Sequence, residues 1–272
     1  MLWFNGRFAD EATSNATSAG ALLGWGFFTT IGVWNAQPFA LPQHLARLQH
    51  DAAHCEIEYS IDDETLDSAL HELISRHKIT RGMTRISITK RGDGRWDTQS
   101  GSDVSILVRP IKDETVPAKI TTSPFRMHSK RALCGVKSTS YLDYQLAWNE
   151  AQSRGFDEAI LLNEQSSVCE GARSNLFWTR DGNLFTPSLS TGCLPGIARA
   201  LVLDWAHEAN IKTHEIEYST EYLRDADGVF LTSAATGIRA VSAFGKSRFS
   251  SNETIEVLQN RWRDAVNYGN KP

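Results

Sequence analysis

Long apolar runs are missing from this 272-residue chain. None reaches the ~18 consecutive apolar residues a membrane-spanning helix needs, so no helix is expected to cross a bilayer. The first ten residues hold Arg7 and Asp10 and lack the apolar core of a secretory signal, so no cleaved leader is expected there. Cysteine is scarce: the four residues Cys55, Cys134, Cys169 and Cys193 form no C-x-x-C pair. That scatter speaks against a metal site or a disulfide framework and for reduced thiols in the cytoplasm. Basic runs are missing as well. The 28 Lys and Arg are outweighed by 32 Asp and Glu, a net charge of -4, which leaves no footprint for nucleic acid. Familiar catalytic signatures are absent too. There is no G-x-x-x-x-G-K-S/T, no H-E-x-x-H and no G-x-S-x-G, and Gly24-Trp25-Gly26 lacks the third glycine of a dinucleotide loop.

What is present fits an ordinary globular chain, with 41% hydrophobic and 22% charged residues. Trp3 to Phe8, turning at Asn5-Gly6, reads as a hairpin, and the β-branched run Phe27 to Trp34 as a strand. Pro42 opens a predicted helix to Cys55 with Leu45, Leu48 and Ala52 on one face. A second helix is predicted over Asp63 to His77, then strands over Met83 to Lys90 and Val104 to Arg109. The polar, proline-bounded stretch 111–118 reads as a linker between a first domain, 1–110, and a second, 119–272. In the second, Lys119 to Ser123 reads as a strand, and Ser138, Thr139 and Ser140 supply cap chemistry for a helix to Arg154. Strands follow at 159–162, 176–179 and 184–186, a helix opening at Pro195 or Gly196, strands at 213–217, 228–232 and 238–244, and a last helix from about Glu253. Strands and helices without strict alternation indicate an α+β or mixed α/β fold.

Lys137 is the suggestive residue. It lies between Cys134-Gly135-Val136 and a Ser/Thr run, with no acidic neighbour before Asp143. A lysine out of water loses basicity and becomes a competent amine nucleophile; by residue type alone, though, a snorkelling surface lysine is the favoured reading.

Several motifs then occur in a fixed order. They are Val136-Lys137-Ser138-Thr139-Ser140-Tyr141-Leu142, Asp157-Glu158-Ala159-Ile160-Leu161-Leu162, Glu170-Gly171 with Ser174-Asn175-Leu176-Phe177, and Leu194-Pro195-Gly196-Ile197 with Arg199. Upstream stand Gly24-Trp25-Gly26-Phe27-Phe28 and His44-Leu45-Ala46-Arg47-Leu48. Together these resemble the class IV, fold-type IV family of pyridoxal-phosphate enzymes, over most of the chain.

The resemblance implies a two-domain α/β fold with the cofactor in the interdomain cleft, a second domain (119–272) that binds it, and a homodimer. It implies that Lys137 carries pyridoxal 5'-phosphate as a Schiff base and moves protons, and that Glu170 faces the ring nitrogen. Arg47 would grip the phosphate with backbone donors at Gly196, Ile197 and Ala198. Tyr141 would reach the ring hydroxyl, Asn175 would brace the Glu170 loop, and Ser233-Ala234 would lie in a second phosphate loop. The family holds both aminotransferases and aminodeoxychorismate lyases. Phe28-Thr29-Thr30 resembles the lyase pattern, and Ala198 and Ala234 stand where many aminotransferases carry threonine. The expected substrate is therefore a small amino-acid-like molecule, 4-amino-4-deoxychorismate, with Thr30 as a proton donor to departing pyruvate. An aminotransferase for branched-chain or D-amino acids is the alternative. For substrate carboxylates the arginines of the Arg91-Gly-Asp-Gly-Arg95 turn are candidates, and surface hairpin charges are the other reading.

Overall fold

The computed structural model describes all residues except 93–100, 113, 115 and 269–272, and the counts below are of the described residues. Two compact units emerge. One holds Met1–Lys112 and Val136–Tyr141; the other holds the remaining described residues. Among those residues, no helix is long and apolar enough to cross a membrane.

The first unit is built on β1 (Leu2–Phe4), β2 (Arg7–Ala9), α1 (Ala19–Leu23), β3 (Gly26–Trp34), β4 (Gln37–Pro38), α2 (Leu41–His54), α3 (Asp63–Arg76), β5 (Arg81–Lys90) and β6 (Ser102–Pro110). Its six strands form an antiparallel sheet in the order β2-β1-β6-β5-β3-β4. Side chains alternate between its faces. Phe27, Ile31, Val33, Ile86, Ile88, Ile106 and Val108 are buried with Leu48 of α2 and Leu66, Leu70 and Leu73 of α3. The other face carries Phe28, Thr30, Arg85, Ser87 and Leu107, all but Phe28 partly exposed. Asp62 caps α3 by accepting the Thr65 N–H at 2.7 Å.

The second unit contains β7 (Ala118–Met127), α4 (Leu142–Ser153), β8 (Glu158–Asn163), β9 (Val168–Gly171), β10 (Asn175–Arg180), β11 (Asn183–Pro187), α5 (Ile197–Glu208), β12 (Thr213–Ile216), α6 (Thr220–Arg224), β13 (Gly228–Ser233), β14 (Gly237–Phe244), β15 (Ser247–Arg248) and α7 (Glu253–Tyr268). The strand order is β12-β11-β10-β13-β14-β7-β8-β9, with β15 on β14. The β11/β12, β14/β7 and β7/β8 pairs are parallel and the rest antiparallel. Ile120, Ile160, Leu176, Trp178, Val229 and Leu231 anchor its core.

Two expected boundaries differ: Val136–Tyr141, expected within the second domain (119–272), falls in the first unit, and the helix expected after it starts later. The Ser138–Ser140 run does not open the helix, which begins at Leu142. Ser138 instead forms a β-bridge with Phe27, its hydroxyl accepts the Ser140 N–H at 3.1 Å, and the Thr139 N–H donates to Gly26 O at 2.9 Å. A partner far along the chain takes the backbone groups that a cap would have used.

Candidate active site

In the first unit, Lys137 lies along the start of β3. Its carbonyl accepts the Phe28 N–H at 2.8 Å, and its own N–H donates to Asp51 Oδ2 at 3.3 Å. Asp51 is fully buried on α2. The Lys137 Nζ stands 4.9 Å from the Phe28 ring centre and 5.0 Å from that of Tyr141, and those rings meet edge to face. Two aromatic rings thus lie beside the amine.

Arg47 sits one turn before Asp51 on α2. Its Nη2 donates to Thr29 Oγ1 at 2.7 Å, and Thr29 Oγ1 lies 2.6 Å from His44 Nδ1. Burial, opposed by Asp51 and Tyr141, pushes the Arg47 guanidinium below its usual pKa. Its Nε is buried and has no hydrogen-bond partner among the described residues. A half-buried guanidinium with an unused donor is what an anionic group such as a phosphate would complete.

On the open face of the sheet, Arg85 lies 3.5 Å from the Phe28 ring centre, and Thr30 pairs with Arg85 across β3 and β5. Burial lowers the Arg85 pKa, Tyr141 opposes that shift and Arg109 adds to it. Sequence reasoning passed over Arg85, although an arginine alternating with the β-branched residues of β5 was a visible signal. It passed over His44 and Asp51 as well, polar residues at core-facing positions of α2.

The second unit gathers a separate set. The Glu170 carboxylate is buried at the end of β9, where it accepts the Tyr144 hydroxyl at 3.0 Å and the Leu194 N–H at 3.0 Å. Arg131 donates to the Tyr144 oxygen at 2.6 Å. Asn175 holds Leu194 O through Nδ2 at 2.9 Å, so it braces the segment that contacts Glu170. α5 opens at Gly196 with no side-chain cap, which leaves the first-turn N–H groups at Ile197 and Ala198 for another acceptor. A Cβ on Gly196 would come within 2.0 Å of Asn175 Oδ1. Only glycine therefore lets these two segments meet.

The remaining sequence candidates are dispersed. Ser233 and Ala234 lie at the β13–β14 turn, where the Ser233 and Thr236 hydroxyls are 2.7 Å apart. That turn therefore holds two hydroxyls despite Ala234. Arg91 pairs with Asp103 at 2.6 Å near the base of the β5–β6 hairpin, its side chain 48% exposed. Arg95 lies outside the described residues.

Residues 26–244 match the family model described as amino-transferase class IV. The chain is 28% identical to an aminodeoxychorismate lyase of Bacillus subtilis, with 100% of this chain and 89% of that protein covered. It is 29% identical to a putative branched-chain-amino-acid aminotransferase of Methanocaldococcus jannaschii, over 97% and 95%. The crystal structure of a branched-chain amino acid aminotransferase from Thermoproteus uzoniensis with norvaline superposes with a TM-score of 0.93 at 26% identity, over 99% and 95%. Lyase and aminotransferase are thus matched almost equally.

Proposed function

The chain belongs to the amino-transferase class IV family, and on that premise we propose that it is a pyridoxal-phosphate lyase converting 4-amino-4-deoxychorismate to 4-aminobenzoate and pyruvate. The donor set fits the cofactor: an amine between aromatic rings, a buried carboxylate, an arginine with an unused Nε, and an uncapped helix start. When bound, pyridoxal phosphate supplies an electron sink for the carbon beside the substrate amine.

This chain's own groups have the remaining work. Lys137 would hold the cofactor covalently, then take the proton from the substrate ring. Glu170, fixed by Tyr144 and Leu194, would keep the cofactor's ring nitrogen protonated. Arg47 and the N–H groups of Ile197 and Ala198 would hold the phosphate. Thr30 would deliver a proton to the departing enolpyruvyl group. The two products contain every atom of the substrate, so no co-substrate is needed.

The observation that carries the lyase reading is the half-open sheet face of the first unit. There Phe28 lies beside Lys137 Nζ, and the Thr30 hydroxyl and Arg85 guanidinium stand on paired residues. A cation and a hydroxyl suit an anionic substrate that must be protonated as it leaves, and suit a branched aliphatic side chain poorly. The second reading is an aminotransferase acting on branched-chain or D-amino acids. It draws support from the hydroxyl pair at Ser233 and Thr236.

Incubating the protein with aminodeoxychorismate and no 2-oxo acid decides between them. Release of one pyruvate per 4-aminobenzoate supports the lyase. Absence of pyruvate, with conversion of the cofactor to its amine form by amino acids, supports the aminotransferase.

The lyase reading includes a homodimer in the cytoplasm. Leu142 and Leu146, one turn apart on α4, and Phe125 on β7 are exposed apolar side chains that a second copy would cover. All four cysteines are free thiols, as suits a reducing compartment. Sedimentation should give twice the chain mass, and Leu146→Glu should lower it.

A further inference from the structure

Of the two threonines after Phe28, Thr30 faces the open side of the sheet and Thr29 is fully buried toward α2. A guanidinium can only donate, so Thr29 Oγ1 accepts from Arg47 Nη2 at 2.7 Å. The hydroxyl hydrogen is then left for His44 Nδ1, 2.6 Å away. Arg47 Nη2, which can only donate, also lies 3.5 Å from that nitrogen, so two donors face Nδ1 and the ring proton is assigned to Nε2.

The surroundings keep the ring neutral. His44 is fully buried, and burial, then Arg47, then Lys137, hold its pKa well below 6.5, so the ring is neutral. Its Nε2 has no hydrogen-bond partner among the described residues, so no donor to Nε2 draws the proton to Nδ1. The hydrogen bonds therefore run in one direction, Arg47 to Thr29 to His44. With Arg47 Nε lacking a partner, the Thr29 hydroxyl is a fixed anchor for that guanidinium.

We propose that Thr29, oriented by His44, is the positioning residue that aims Arg47 at the cofactor phosphate. This inference rests on the cofactor reading above, and it assigns to Thr29 a role separate from the proton-donor role given to Thr30. Losing the hydroxyl would remove the short contact of Arg47 Nη2 and leave it only the 3.5 Å approach to His44 Nδ1. Phosphate affinity should fall while the chemistry at Lys137 is spared.

The test uses the full chain, Thr29→Val as an isosteric loss of the hydroxyl, and Thr29→Ser as its conservative rescue. Nitrogen-15 spectra of histidine-labelled protein without cofactor should show His44 protonated at Nε2, and Thr29→Val should shift its Nδ1 resonance. Titration with pyridoxal phosphate, followed by absorbance, should show Thr29→Val binding about 10- to 100-fold more weakly, as expected for a lost hydrogen bond to a charged group. Thr29→Ser should stay within about 3-fold of the original, and turnover at saturating cofactor should change little in either. His44 protonated at Nδ1, or unchanged cofactor affinity in a folded Thr29→Val, would overturn the proposal. If Thr29→Val fails to fold, the Thr29→Ser affinity and the His44 tautomer decide. Failure of the unsubstituted protein to bind pyridoxal phosphate would sink the cofactor reading itself, a result seen before any variant is made.

Discussion

Lys137 joins a local feature to a distant one. Its position after Gly135-Val136 is written in the sequence, but the rings beside its amine come from β3 and from Tyr141. Lys137→Ala should abolish the visible absorption band of the reconstituted protein and lower pyruvate release by more than about 1000-fold, as removal of an activated nucleophile does. A band that persists in that variant would refute the assignment. Arg85 makes a second residue-scale prediction. If it binds a substrate carboxylate, Arg85→Met should raise KM about 10- to 100-fold, the worth of a charge-assisted hydrogen bond, with kcat little changed. An unchanged KM would return that role to the Arg91 turn. Thr30→Val should slow pyruvate release about 100-fold, a typical general-acid contribution, while Thr30→Ser should retain most of it.

At the scale of the element, α2 carries Arg47 and, one turn later, the Asp51 that accepts the Lys137 N–H. One rigid helix thus fixes both the phosphate-directed cation and the backbone of the lysine. Asp51→Ala would leave that N–H without its acceptor, at a cost of about 1–3 kcal/mol, which urea unfolding can measure. The helix itself was legible, from Pro42 at its start and the leucines along one face. Its functional face was not, because His44 and Asp51 look like ordinary surface residues until β3 packs against them. α5 shows the same division. Its start at Pro195-Gly196 was readable, but the need for glycine rests on Asn175 from another strand. Gly196→Ala should therefore weaken cofactor binding as well as stability.

Across the whole molecule, burial of His44 links stability to pH. Its folded pKa lies below the unfolded value of 6.5, so below that pH the unfolded chain binds more protons. Stability is then full above about pH 6.5 and falls as the pH drops, by up to ~1.4 kcal/mol per pH unit for one group. The urea midpoint should decline as the pH falls below about 6.5, and His44→Gln should flatten that decline. Glu164, held at a pKa of about 2 chiefly by hydrogen bonds from Ser129, acts in a lower window. Its contribution is present above pH 4.5 and fades as the pH approaches 2, so Ser129→Ala should lower stability above pH 4.5 and make little difference near pH 2.

The sequence by itself determined most of the element order, the α/β class and the family motifs, because hydrophobic period, turn chemistry and ordered motifs are local properties of the chain. It did not determine the β-bridge of Ser138 with Phe27, which displaced the expected helix cap. Nor did it show the arginine standing on the Phe28 ring, or which of two adjacent threonines turns inward. Those depend on register: in a strand, neighbouring residues face opposite sides. Only the pairing of β3 with β5 and the packing of α2 decided that Thr29 meets Arg47 while Thr30 stands beside Arg85.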